Sequence, residues 1–206
     1  MPRRSILSAA ERDGLLILPN AKDELIRHYT LNESDLSIIR QHRGYANRLG
    51  FAVQLCYMRY PGVMLGIDDA PGASLLCMVA AQLNVPVDAW DEYGQRAETR
   101  REHLLELQSV FGFQSFTMRH YRPAVRSLDE LASQTDGIVL ASSLIECLRR
   151  QSVLMPSLQV IERICAEAIT RANRRIYAAL TDSLTMIHTS VSTNCLNAGT
   201  AARSAG

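Results

Sequence analysis

The stretch ESDLSIIRQHRGYANRLGFAVQLCYMRYPG, residues 33–62, decides how this chain folds. Asn32 before it is a good N-cap, and Leu36 and Ile39 recur at helical spacing, so a helix is predicted over 33–41. Gly44 breaks the pattern. It resumes over 45–60, with Leu49, Val53 and Cys56 on one side and Ala52, Leu55 and Met58 close by, until Pro61-Gly62 stops it. Glycine at the break supplies the positive φ that lets the second helix cross the first. Such a pair reads as a helix-turn-helix-like unit, a motif whose second helix lies in the major groove with its N-terminal residues at base edges. Those positions hold Arg43, Tyr45, Asn47, Arg48 and Gln54. No acid occurs between Leu36 and Ile67, whereas Arg40, Arg43, Arg48 and Arg59 do, as a surface facing phosphates requires.

Outward from this stretch the chain continues to read as helix, and the fold class is all-α, a multi-helix domain with two helix-turn-helix-like units. Ser8-Ala9-Ala10-Glu11 is a capping box opening a short helix that ends before Pro19. Asn20 is the expected cap of a helix over 22–28. An apolar helix follows over 73–83, then a short turn over 88–94 and a periodic helix over 96–111 with Leu104, Leu107 and Phe111 on one face. In that helix Arg100, Arg101, Glu102 and Glu106 are expected outward, and His103 is expected at the surface. Gly112 then leads to a second unit whose helix is expected from about 120 to 133, since Pro123 is tolerable only in a first turn. Arg119, His120, Arg122 and Arg126 are its candidate DNA contacts, with Gln114, Ser115 and Thr117 near its start. Helices over 138–151 and 158–180 complete the set. There is no strand alternation, internal repeat, G-x-G-x-x-G or P-loop. Glycine-broken helix pairs also occur in bundles that bind nothing, so the pattern alone leaves binding open.

The chain has 206 residues, 47% hydrophobic and 21% charged, an ordinary globular composition for one or two domains. A net charge of +1 excludes a polycation or an acidic tail protein. No run approaches a membrane span and no signal peptide is legible, so a cytoplasmic, nucleoid-associated location and no membrane partner are expected. Charge nevertheless comes in blocks: residues 1–60 carry +3, 61–93 carry −5, 94–126 carry +3, 127–148 carry −4 and 149–180 carry +4. A near-neutral chain can thus present local basic surfaces, although such alternation also arises on solvated helix faces. Lys22 is the sole lysine against 21 arginines. Arginine forks onto phosphates and guanine edges, but a GC-rich genome produces the same bias. The five cysteines, in no C-x-x-C spacing, are read as buried small hydrophobes.

RRSILSAAER at 3–12, KDELIRHYTL at 22–31, residues 35–62, WDEYGQRAETRREHLLELQSVFGFQSFT at 90–117 and AITRANRRIYAAL at 168–180 together carry a resemblance. From Arg3 to about Leu184 the chain resembles the N-terminal region of the Tn-three family of bacterial replicative transposases, nearest its mercury-resistance subgroup, with a DUF4158-type domain. The resemblance implies a helical domain that binds the transposon's terminal inverted repeats as double-stranded DNA. It also implies that the acidic triad and its Mg2+ ions lie in a downstream domain, so no enzyme activity and no cofactor are expected here. Two-metal strand chemistry needs paired carboxylates on divalent metals. The acids present, Glu98, Glu102 and Glu106 or Asp68 and Asp69, read as solvated charges, and no H-E-x-x-H occurs.

Expected organisation is a first DNA-binding unit over 1–62, a second helical unit over 63–154, a long helix over 155–184, and a disordered tail over 185–206. That tail is rich in Ser, Thr, Ala and Gly and departs from the family pattern, as truncation or a shifted reading frame would produce. The alternatives to DNA binding are a protein-interaction or assembly domain and an inert remnant. Self-association is expected if the apolar face of the last helix lacks partners.

Overall fold

A computed structural model describes residues 6–66, 69–93 and 97–201, with side chains from residue 98 to 182 in the last span. Nine α-helices lie among the described residues: α1 (Ala9–Gly14), α2 (Lys22–Tyr29), α3 (Glu33–Ile39), α4 (Tyr45–Arg59), α5 (Ala73–Leu83), α6 (Ala97–Phe111), α7 (Met118–Ser127), α8 (Gly137–Arg150) and α9 (Leu158–Ala201). Short 3-10 turns occupy Val87–Glu92 and Leu131–Ser133, and the described extended pairing is one bridge, Gln114 with Val153. The all-α expectation holds.

Capping explains several starts. Ser8 and Glu11 form the expected box, with the Ser8 amide donating to Glu11 at 2.7 Å. Asn32 and Asp35 form another, at 2.8 and 3.0 Å. The cap of α2 is Ala21 rather than Asn20, and it makes no side-chain bond. Asp23 and Glu24 in the first turn suit the helix dipole there instead.

Residues 49–58 of α4 carry no charge and are buried on every side. A helix apolar all round needs neighbours all round, and α2, α3, α5, α6 and the Val87–Glu92 turn supply them. Gly50 lets the Tyr93 ring lie on the α4 backbone, where a Cβ would sit 2.1 Å from a ring carbon. Leu65, Leu75, Val79 and Leu107, beyond residue 62, share one core with Leu49–Met58. A second core joins Leu7 to Val125 and Leu128 of α7, to Leu140, Leu144 and Leu148 of α8, and to Ile161, Ile164 and Ala168 of α9. Phe113 packs on the first core and Phe116 on the second, while Leu7 near the start of the chain belongs to the second core and Leu154 to the first.

Two further expectations change. The second unit's helix begins at Met118 and ends at Ser127, with Pro123 in its interior. Pro123 is exposed, so its missing amide removes a hydrogen bond on the wet face while the buried face stays intact. The last helix continues to Ala201 where an irregular tail was expected from 185; residues 202–206 lie outside the described residues. Past Pro156 no proline interrupts it, and extending a formed helix is far cheaper than starting one. Cys56 and Cys165 are buried as expected, their thiols pushed up by burial to about 12 and about 11, whereas Cys77 is exposed and Cys147 half-buried. The side chain of Cys195 lies outside the described residues.

Candidate nucleic-acid interface

The α3–turn–α4 unit presents less of α4 than the sequence pattern suggests. Gly44, at φ 79°, opens α4, and only the first turn and the final Arg59 of that helix reach the surface. Arg40, Arg43 and Tyr45 are exposed there; Asn47 and Arg48 are half-buried. Arg40 makes a long contact with exposed Glu33 at 3.9 Å. Arg43 has no ion-pair partner among the described residues, but it lines an open groove with Asp88 and Glu92. Asn47 donates to the Arg43 carbonyl at 3.1 Å. Arg48 turns back, donating to the His42 carbonyl at 2.8 Å and the Arg40 carbonyl at 3.4 Å, and so holds the turn that ends α3.

Gln54 and Arg59 need correction as contact residues. Gln54 is fully buried. Its amide donates to the Leu65 carbonyl at 3.2 Å and its oxygen accepts the Leu65 amide at 3.3 Å, so it clamps the loop after α4 and reaches no base edge. Arg59 makes two 2.7 Å bonds to Asp35, and its guanidinium lies 5.4 Å from the centre of the Phe111 ring. Burial pushes the Asp35 carboxyl up, but the Arg59 bonds and the Asn32 cap outweigh it and hold Asp35 below its ordinary value. The acid-free run therefore does not give an unpaired basic face, because Asp35 is supplied from one residue before it.

Other sequence expectations fail around His103. Arg100 and His103 are buried. Arg100 donates to the Gly66 carbonyl at 2.8 Å and lies over the Tyr93 and Trp90 rings at 5.1 and 5.6 Å. His103 meets the Tyr93 hydroxyl at 3.2 Å and the His42 ring at 4.6 Å. Burial first, and then the neighbouring His42, push His103 down to about 4. Among the described residues no group of three His, Cys, Asp or Glu side chains is placed to hold a metal ion.

The α7 face is different. Its buried side carries Ala124, Val125 and Leu128, the last just past its end. Arg119, Arg122 and Arg126 are all exposed. At 3.6 residues per turn they fall within about 60° of arc and about 10 Å of helix length. None of their guanidinium groups has an ion-pair or hydrogen-bond partner among the described residues. One oxygen of the Asp129 carboxylate pairs with Arg171 at 3.3 Å, and Arg175 donates to the Asp129 carbonyl. The first turn of α7 holds no acid. His120 is half-buried and turned to the helix start: its Nδ1 accepts the Thr117 amide at 3.0 Å and its Nε2 lies 3.4 Å from Gln114. It is better placed to cap α7 than to touch DNA.

A family model described as a domain of unknown function (DUF4158) matches residues 6–168. The chain belongs to that family. It is also similar to the transposase for transposon Tn3926 of Escherichia coli, 71% identical over 189 residues that make up 91% of this chain and 19% of that protein. The transposase for transposon Tn21 of Escherichia coli is 68% identical, and that for Tn501 of Pseudomonas aeruginosa 52%, over the same shares. The chain thus spans about a fifth of the length of the curated relatives it matches, and it corresponds to a transposase N-terminal region. No helix among the described residues is long and apolar enough to cross a membrane.

Proposed function

We propose that this DUF4158 chain binds the terminal inverted repeats of a transposon as double-stranded DNA, and that α7 is the main contact. The observation that carries this is the exposed trio Arg119, Arg122 and Arg126 with no carboxylate partner. Guanidinium groups so arranged suit phosphates along one backbone, or a guanine edge where one reaches the groove floor. Arg43, Arg40 and Tyr45 at the start of α4 form a smaller second surface, weakened by the acids of its groove. Binding of this kind needs no cofactor and would keep the protein on the nucleoid in a bacterial cytoplasm. Strand cleavage would belong to the parts of the relatives that this chain does not cover. The test is footprinting of purified protein on a duplex carrying the inverted repeat beside a scrambled duplex. Protection of the repeat at salt that abolishes scrambled binding is expected. Equal binding to both would leave only charge attraction and would overturn the sequence-specific part.

A second proposal, assembly, draws on α9. Among its described side chains Ala172 is the last that is buried, and beyond it Ile176, Tyr177 and Leu180 are 43%, 70% and 56% exposed. A helix that leaves such a stripe uncovered suits packing against another protein segment. Sedimentation at rising concentration separates a monomer from self-association.

A further inference from the structure

We propose that Arg149 is a positioning residue that sets α7 at a defined distance and angle from the start of α4, so that one duplex meets both surfaces. This rests on the DNA-binding proposal above.

The two surfaces belong to different cores: α4 lies in the first, and α7 in the second beside α8 and α9. Backbone hydrogen bonds join the segments between the cores. Gln114 donates its amide to the Ser152 carbonyl at 2.9 Å and accepts the Leu154 amide at 2.8 Å, and Met155 donates to the Gly62 carbonyl at 2.8 Å. Val153 is buried in the second core and its neighbour Leu154 in the first.

Arg149 brings a side chain to these segments from the last turn of α8. One terminal nitrogen donates 88 residues back, to the Pro61 carbonyl at 3.1 Å, and the other donates to Glu146 at 3.1 Å. Its guanidinium lies 4.4 Å from the centre of the Tyr60 ring. That ring is itself fixed, stacked with His28 at 4.1 Å, while the Tyr60 carbonyl accepts the Tyr29 hydroxyl at 3.2 Å. A planar fork can stack and donate to two acceptors at once; a lysine ammonium in the same place cannot.

A fixed spacing matters because two contact surfaces held in register act as one bivalent binder. The second contact is then intramolecular, and its strength depends on how well the link presents it. Loosening the link lowers affinity for a duplex long enough to reach both surfaces and leaves each separate contact alone.

The experiment measures affinities of wild type, Arg149→Met and Arg149→Lys for a full inverted-repeat duplex and for two half-length duplexes, each variant first shown by thermal melting to be folded. Both variants are expected to lose about tenfold on the full duplex and to match wild type on the halves. An unchanged full-to-half affinity ratio in Arg149→Lys overturns the proposal, and so does an equal loss on all duplexes. If Arg149→Met weakens binding while Arg149→Lys retains it, Arg149 acts as a charge on DNA and the positioning role is wrong. If wild type binds no duplex, the DNA-binding proposal has failed and this one falls with it. Wild-type binding with an unaltered ratio in the variants defeats this one alone.

Discussion

Removing the guanidinium groups of Arg119, Arg122 and Arg126 together should change the salt dependence of DNA binding by a calculable amount. The three side chains are exposed, share one face of α7 and have no carboxylate partner among the described residues. Each is therefore free to displace a counterion from one phosphate. Binding to B-DNA weakens with log salt by about 0.9 per phosphate neutralised, so the triple Arg→Ala variant should have a slope shallower by about 2.7. Between 50 and 200 mM salt, three such contacts account for about a 40-fold fall in affinity that the variant would not show. Stability should stay within about 0.5 kcal/mol of wild type, because no packed or paired group is removed. The assay is fluorescence anisotropy with a labelled inverted-repeat duplex at four or more salt concentrations, beside a thermal melt. A variant that melts like wild type and keeps the wild-type slope would refute the assignment of α7 to DNA. A slope change near 0.9 would show that one of the three arginines touches phosphate and the others do not.

Three other outcomes follow from the packing. Arg59→Met strands the buried Asp35 carboxylate and should cost about 3–5 kcal/mol in urea unfolding, while the DNA affinity of the folded fraction holds; a cost below 1 kcal/mol would show that the ion pair is not formed. His103 is pushed down to about 4 by burial and by His42, against an ordinary value near 6.5. The unfolded chain therefore binds more protons between these values, and the stability contributed by neutral His103 is complete above about pH 6.5 and lost as pH falls toward 4, up to about 3 kcal/mol. Burial lowers His42 in the same direction. Denaturant melts at pH 7 and 4.5 should show that loss, and His103→Gln should reduce it; an unreduced loss in His103→Gln would place the effect elsewhere. Gly50→Ala pushes a methyl into the Tyr93 ring and should destabilise by about 1–3 kcal/mol on thermal melting; a neutral result would mean that Tyr93 does not rest on α4.

The amino-acid sequence by itself determined the local features of this protein. Caps at Ser8 and Asn32, breaks at Gly44, Gly112 and Pro61, and the helical period of α3 to α6 are decided by residues within a few positions of one another, where steric and hydrogen-bonding preferences act. The near-continuous match to transposases was legible for the same reason: it is a property of the order of residues. Tertiary structure alone decided which polar side chains are available. Arg59, Gln54, Arg100 and His103 are spent on Asp35, Leu65, Gly66 and Tyr93, partners 10 to 34 positions away. The contact of Arg149 with the Pro61 carbonyl, 88 positions away, gave no signal in the sequence. Arginines 119, 122 and 126 are exposed, with no side-chain partner among the described residues. Charge and type are written along the chain, but a group's freedom depends on what the fold sets within about 3 Å of it.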